Sequence, residues 1–161
     1  METNSLCILD VVHDTIVDGP GFRTSIYSAG CPHECKGCHN PQSWHRSNGH
    51  QVSIDELMVE IKKNPVSNVT FSGGEPFLQP HGFIALAKRI KNETDKTIWC
   101  YSGFQYETLL QNPVATELLS YIDVLVDGRY IEELKDPTLR FRGSQNQRII
   151  DVRGLLGVSI A

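Results

Sequence analysis

Short apolar runs and helix-patterned segments take turns along this chain, and that alternation limits what it can fold into more than any other feature. Arg23–Ser28 (RTSIYS) reads as a strand. From His39 to Gln51 the chain is polar and rich in Asn, Ser and His, which predicts a loop. Ser53 and Glu56 then form S-x-x-E, a capping box, and Ile54, Leu57, Met58 and Ile61 follow at helical spacing. That helix should run to about Lys63, because Asn64-Pro65 stops it. Asn68–Phe71 (NVTF) is the next strand. Phe83, Ile84, Leu86, Ala87 and Ile90 make an amphipathic helix approached through Pro80. Thr97–Tyr101 (TIWCY) is again a strand, followed by a short helix near Tyr106–Leu110 and a helical stretch over Glu117–Tyr121. Ile122–Val126 is a buried strand, Tyr130–Leu134 a helical turn, and Ile149–Val152 a last strand.

Strands and helices in this order imply a parallel sheet with right-handed crossovers. The length, 161 residues, suits one domain spanning 1–161. A closed eight-fold barrel needs about 200 residues or more. The expected fold is therefore α/β: a short, open partial (β/α) barrel with a mostly parallel sheet.

In parallel α/β folds, sites are built at the carboxyl ends of the strands. Four polar or glycine-rich segments fall there: AGCPHECKGCHN, SGGEP, YSG and DGR. The first carries Cys31, Cys35 and Cys38 in the spacing C-x3-C-x2-C. Three thiolates from one loop could hold a [4Fe–4S] cluster with one iron left open, since four cysteines are usual. They could equally join His33 or His39 in a Cys3His zinc site. A disulfide framework fits poorly, because the count of five cysteines is odd. METNSLCILDVVHD resembles no secretory signal, so the chain reads as cytoplasmic, where thiols stay reduced. Cys7 and Cys100 lie outside the loop, and Cys100 alternates with Trp99 as a core thiol would.

SGGEP (Ser72–Pro76) follows a strand. Two glycines let a backbone approach a ligand closely, and the adjacent carboxylate can accept from an ammonium group. Taken alone, the segment is equally a plain strand-to-helix turn. The formal net charge of −4 gives no basic face for nucleic acid, and no apolar run approaches the length that spans a membrane.

C-x3-C-x2-C followed by a GGE-type motif on the next strand resembles the radical S-adenosylmethionine enzymes. The resemblance implies a [4Fe–4S] cluster on Cys31, Cys35 and Cys38, with the amino and carboxylate groups of S-adenosylmethionine on the fourth iron. It puts Gly73, Gly74 and Glu75 at the methionine ammonium, and the main chain of Gly37, Cys38 and His39 along the adenine. Asp127, Arg129 and Ser102 would lie near the cofactor's carboxylate or ribose. With the fourth iron so occupied, His33 and His39 are not ligands, and Trp44 packs the loop. Gly37 departs from the pattern, since many members carry an aromatic residue there.

Asp18-Gly19-Pro20-Gly21 with Arg23 is similar to the glycyl-radical-enzyme activases. CKGCHNPQSW, VLVDGRY (Val124–Tyr130) and FRGSQNQRIID (Phe141–Asp151) resemble the activases of anaerobic ribonucleotide reductase. This implies a glycyl radical generated on the large subunit of anaerobic ribonucleoside-triphosphate reductase, with a reductant such as flavodoxin. A pyruvate formate-lyase type of target and a non-catalytic zinc module are the alternatives. Arg140, Arg142 and Arg148 form a basic tail that would dock the partner or tether a loop.

Overall fold

The computed structural model describes residues 4–155 and 158–159. The strands are β1 (Ser5–Thr15), β2 (Arg23–Ser28), β3 (His50–Ser53), β4 (Asn68–Gly73), β5 (Ile98–Tyr101), β6 (Val124–Asp127), β7 (Arg148–Asp151) and β8 (Val158–Ser159). The helices are α1 (Ile54–Lys62), α2 (Pro80–Glu93), α3 (Tyr106–Leu109), α4 (Pro113–Leu119) and α5 (Val152–Leu155). One sheet runs in the order β3-β1-β2-β4-β5-β6-β7-β8. Its centre, β2, β4, β5 and β6, is parallel. Antiparallel strands extend it on both sides. The two outer strands do not meet, so the barrel is open, as expected.

The parallel centre follows the apolar runs closely. Ser53 Oγ accepts from Glu56 N–H at 3.0 Å, so Ser53 caps α1 as expected, although among the described residues the Glu56 side chain does not complete the box. Proline stands at the start of α2 and α4, where its missing N–H costs nothing. Alternation along β5 and β6 splits their side chains between two faces. Ile98, Cys100 and Leu125 join the main core with Leu57, Phe83 and Ile90 from the helices. Trp99 and Val126 point the other way and pack with Ile149. Each buried side chain such as Phe83 contributes about 1.5–3 kcal/mol. The helices thus cover one face, and the opposite face is left for a site.

β1, β3 and β8 are additions to the predicted order. His50 to Ser53, partly inside the predicted loop, is an edge strand paired with Ser5–Ile8 of β1. Two 3-10 turns, Pro41–Trp44 and Arg46–Asn48, occupy much of the rest of that loop. Among the described residues, no helix is long and apolar enough to cross a membrane.

Candidate metal centre and cavity

The parallel register sets Ser28 beside Gly73, so β2 and β4 end level. The cysteine loop leaves from the first end and SGGEP from the second. Gly30 N–H donates to Ser43 O at 2.7 Å and Cys31 N–H to Trp44 O at 3.2 Å, which seats the loop on the 3-10 turn. The Trp44 side chain is half-buried. Cys38 N–H closes a turn onto Cys35 O at 3.0 Å, and Asn40 N–H reaches Cys38 Sγ at 3.4 Å. Gly37 has a φ of 78°, and a Cβ there would lie 1.8 Å from Glu132 Oε2. The positive φ favours glycine here, whereas the Glu132 carboxylate is the end of a flexible side chain that could move aside. The ring of Tyr130 lies beside Gly37 and is tilted at 46° to the His39 ring, with centroids 5.3 Å apart.

All three loop thiols are half-buried and free. Burial pushes the Cys31 thiol up, against hydrogen bonds from the His33 and Glu34 backbone that pull it down. Burial raises Cys35 too, opposed by the Tyr130 backbone and the Arg129 charge. Cys31 and Cys38 line a cavity of about 1110 Å³ on the face that the helices leave open.

Gly73, Gly74 and Ser102 are on the wall of that cavity, and so is His39. Glu75 is not, because its carboxylate is fully occupied within the protein. Oε1 accepts from Gly103 N–H at 2.7 Å and meets His33 Nε2 at 2.7 Å. Oε2 accepts from Ser102 Oγ at 2.9 Å and Phe77 N–H at 3.1 Å. The glycines also have a reason of their own. A Cβ on Gly74 would lie 2.3 Å from Gly30 O, and one on Gly73 would lie 2.4 Å from Ser28 N. Their bareness lets β4 close against β2 and the base of the cysteine loop.

Asp127 is buried and does not reach the wall. It accepts from Arg148 Nε at 3.0 Å and Tyr106 N–H at 2.8 Å. Arg129 is exposed, and its carbonyl accepts from Asn146 Nδ2 at 2.8 Å. Its charge reaches Cys35 through space.

A family model described as a 4Fe-4S single cluster domain matches residues 17–150. An anaerobic ribonucleoside-triphosphate reductase-activating protein of Vibrio cholerae is 41% identical over 143 residues, covering 83% of this chain and 90% of that one. Its namesake in Escherichia coli K12 is 34% identical over 147 residues, covering 86% and 94%. The one from Enterobacteria phage T4 is 33% identical over 140 residues, covering 83% and 86%. The chain belongs to the family of anaerobic ribonucleoside-triphosphate reductase-activating proteins. In this member of the activating proteins, the basic tail is two different things. Arg148 is tied to Asp127 and Glu107 within the chain. Arg142 lies on the cavity wall with Gly143 and Gln147.

Sequence reasoning set His33 aside, yet its side chain is 3% exposed and joins the cysteine loop to Glu75. Nothing in CPHEC announces this partner. The hydroxyl cluster about Asp18 was equally silent: Ser25 Oγ donates to its Oδ2 at 2.9 Å, and Tyr27 OH donates to the same oxygen.

Proposed function

We propose that this chain cleaves S-adenosylmethionine reductively and so places a glycyl radical on anaerobic ribonucleoside-triphosphate reductase. The observation that carries the reading is the C-x3-C-x2-C loop opening onto a cavity that Gly73, Gly74 and Ser102 also line. The donor set suits an iron–sulfur cluster: soft thiols, one per iron, with an amide hydrogen bond already aimed at Cys38 Sγ. A single zinc ion would instead need its donors gathered about one point. Among the described residues, no group of three or more His, Cys, Asp or Glu is so gathered.

When bound, the reduced cluster supplies one electron that splits the sulfonium into methionine and a 5′-deoxyadenosyl radical, which takes a hydrogen atom from a glycine Cα. The chain's own part is to hold, orient and shield. Cys31, Cys35 and Cys38 hold the cluster. The β4 end presents backbone at Gly73 and Gly74, while Glu75 works from behind, fixing His33, Ser102 and the Gly103 amide in place. Asp127 similarly acts through Arg148 and α3. Tyr130 and His39 offer two mutually tilted rings beside Cys38 against which an adenine could pack.

Ile16 and Val17, 65% and 68% exposed, stand on the cavity wall. A partner laid over these apolar side chains would exclude water from the open face. The partner proposed is the large reductase subunit, in the cytoplasm, with flavodoxin or a similar small reductant as electron source. Anaerobic incubation of the reconstituted protein with the reductase, S-adenosylmethionine and dithionite tests this. A glycyl radical seen by electron paramagnetic resonance is expected. A reductase left without radical, despite an intact cluster, would overturn it.

A further inference from the structure

The segment Phe141–Arg148 is built into the cavity wall with unusual care for a loop. Phe141 holds a φ of 64°, a left-handed conformation that bulky residues avoid. Its carbonyl accepts from Tyr101 OH at 2.7 Å, and its ring stands edge-on to Trp99 at 5.4 Å. Gln147 then clasps the loop. Its Oε1 accepts from Gly143 N–H at 2.8 Å and Ser144 N–H at 3.2 Å, and its Nε2 donates to Gly128 O at 3.0 Å. Buried Ser144 Oγ accepts from Ile131 N–H at 3.2 Å. The loop is thereby fixed to the segment after β6.

What this scaffold presents is Arg142. Its Nη1 donates to Gln147 O at 2.7 Å, which fixes the plane of the guanidinium. Its Nε is buried and has no acceptor. Among the described residues Nη2 makes no hydrogen bond either, and no carboxylate lies within ion-pair distance of the group. The fold completes its other enclosed guanidinium differently. Arg23 donates to Thr70 Oγ1, Pro20 O, Val69 O and both oxygens of Thr97. Arg148, Arg153 and Arg89 each meet a carboxylate. Arg142 alone of these five keeps its Nε/Nη2 edge unused, and it does so on the wall that Cys38, Gly73 and Gly74 share. That edge is two parallel N–H groups, the shape that a carboxylate takes bidentately. A buried donor left without an acceptor is costly, so an arriving acceptor is favoured.

We infer that Arg142 is a ligand-binding residue which receives the carboxylate of the cofactor's amino-acid end. This rests on S-adenosylmethionine being the occupant. It replaces partner docking as the task of Arg142 and gives that task a chemistry.

The test is binding, measured by equilibrium dialysis on anaerobically reconstituted protein with matched iron content. The probes are S-adenosylmethionine and its decarboxylated analogue. Arg142→Ala should weaken S-adenosylmethionine about ten- to hundredfold, the value of a charge-assisted hydrogen-bond pair. It should change binding of the decarboxylated analogue by less than about twofold. Arg142→Lys keeps the charge and loses the fork, so it should fall between. Should Arg142→Ala not fold, Arg142→Gln, shorter but still polar at the loop, reads the same difference. An unchanged affinity for S-adenosylmethionine, or an equal loss for both probes, overturns the assignment. If the wild-type holoprotein binds no S-adenosylmethionine at all, the cofactor reading itself fails, an outcome distinct from either.

Discussion

The imidazole of His33 and the carboxylate of Glu75 meet at 2.7 Å, with side chains 3% and 0% exposed. One comes from between the first two cysteines and the other from the end of β4, so this contact fastens the metal loop to the sheet. Glu75→Gln keeps the shape and sets an amide N–H₂ against at least one donor. It should cost about 1–3 kcal/mol of stability, seen in denaturant unfolding of the apo protein. A residue serving only the ligand would leave apo stability alone.

Cys31→Ser, Cys35→Ser and Cys38→Ser should each abolish a stable cluster, because each thiolate holds its own iron. Cys7 and Cys100 are buried away from the loop, and Cys7 Sγ donates to Arg46 O at 3.4 Å. Cys7→Ala and Cys100→Ala should retain iron and sulfide at wild-type content while losing some thermal stability. Full retention in any of the first three variants would break the assignment.

Gly74→Ala should act through the fold before it acts on any ligand. The new methyl meets Gly30 O and Ser43 O, both backbone atoms that cannot swing aside. We expect a loss on the order of 3 kcal/mol together with poorer cluster loading. A folded, fully loaded Gly74→Ala protein with weak cofactor binding alone would place the clash with the ligand instead.

Arg148→Ala should strand the buried Asp127 carboxylate with one backbone donor, Tyr106 N–H. Fully buried pairs cost 3–5 kcal/mol when broken, and the half-exposed Arg148 head calls for about 2–3. Cofactor binding should change far less than in Arg142→Ala. Paired urea melts and dialysis on the two variants check both halves of this statement.

Burial holds the Cys31 and Cys35 thiols above their ordinary range. Their folded values therefore exceed the unfolded ones, near 8.5. The stability linked to them is complete below that pH and is lost as pH rises through the higher folded values. The apo protein should weaken from about pH 8.5 upward, and Cys31→Ser should soften that decline. Because iron takes the thiolate, reconstitution should release protons and proceed faster at pH 8.5 than at pH 7.

The parallel centre was legible because its strands are dense apolar runs and its helices carry the 3.6 period, with Ser53 capping α1 and prolines opening α2 and α4. β3 was hidden by its sequence, HQVS, which becomes a strand only because β1 lies beside it. The three cysteines could be placed at a strand end because their loop follows the strand run Arg23–Ser28. Their supports could not. His33 lies 42 residues from Glu75, and no local pattern links them. Arg142 and Arg148 look alike on the page. The register of β7 against β6 sets Arg148 opposite Asp127, while Arg142 stays on the loop before it.

The cysteine loop stands on contacts between distant parts of the chain. Glu75 N–H donates to Gly30 O at 2.8 Å, Gly30 N–H to Ser43 O, and Ala29 N–H to Cys7 O at 3.1 Å. In a zinc finger the metal organises the chain, and folding waits for it. Here the socket is finished only after β1, β2 and β4 are already side by side. Metal loading should thus follow folding, and removal of the metal should leave the scaffold standing and able to be reloaded.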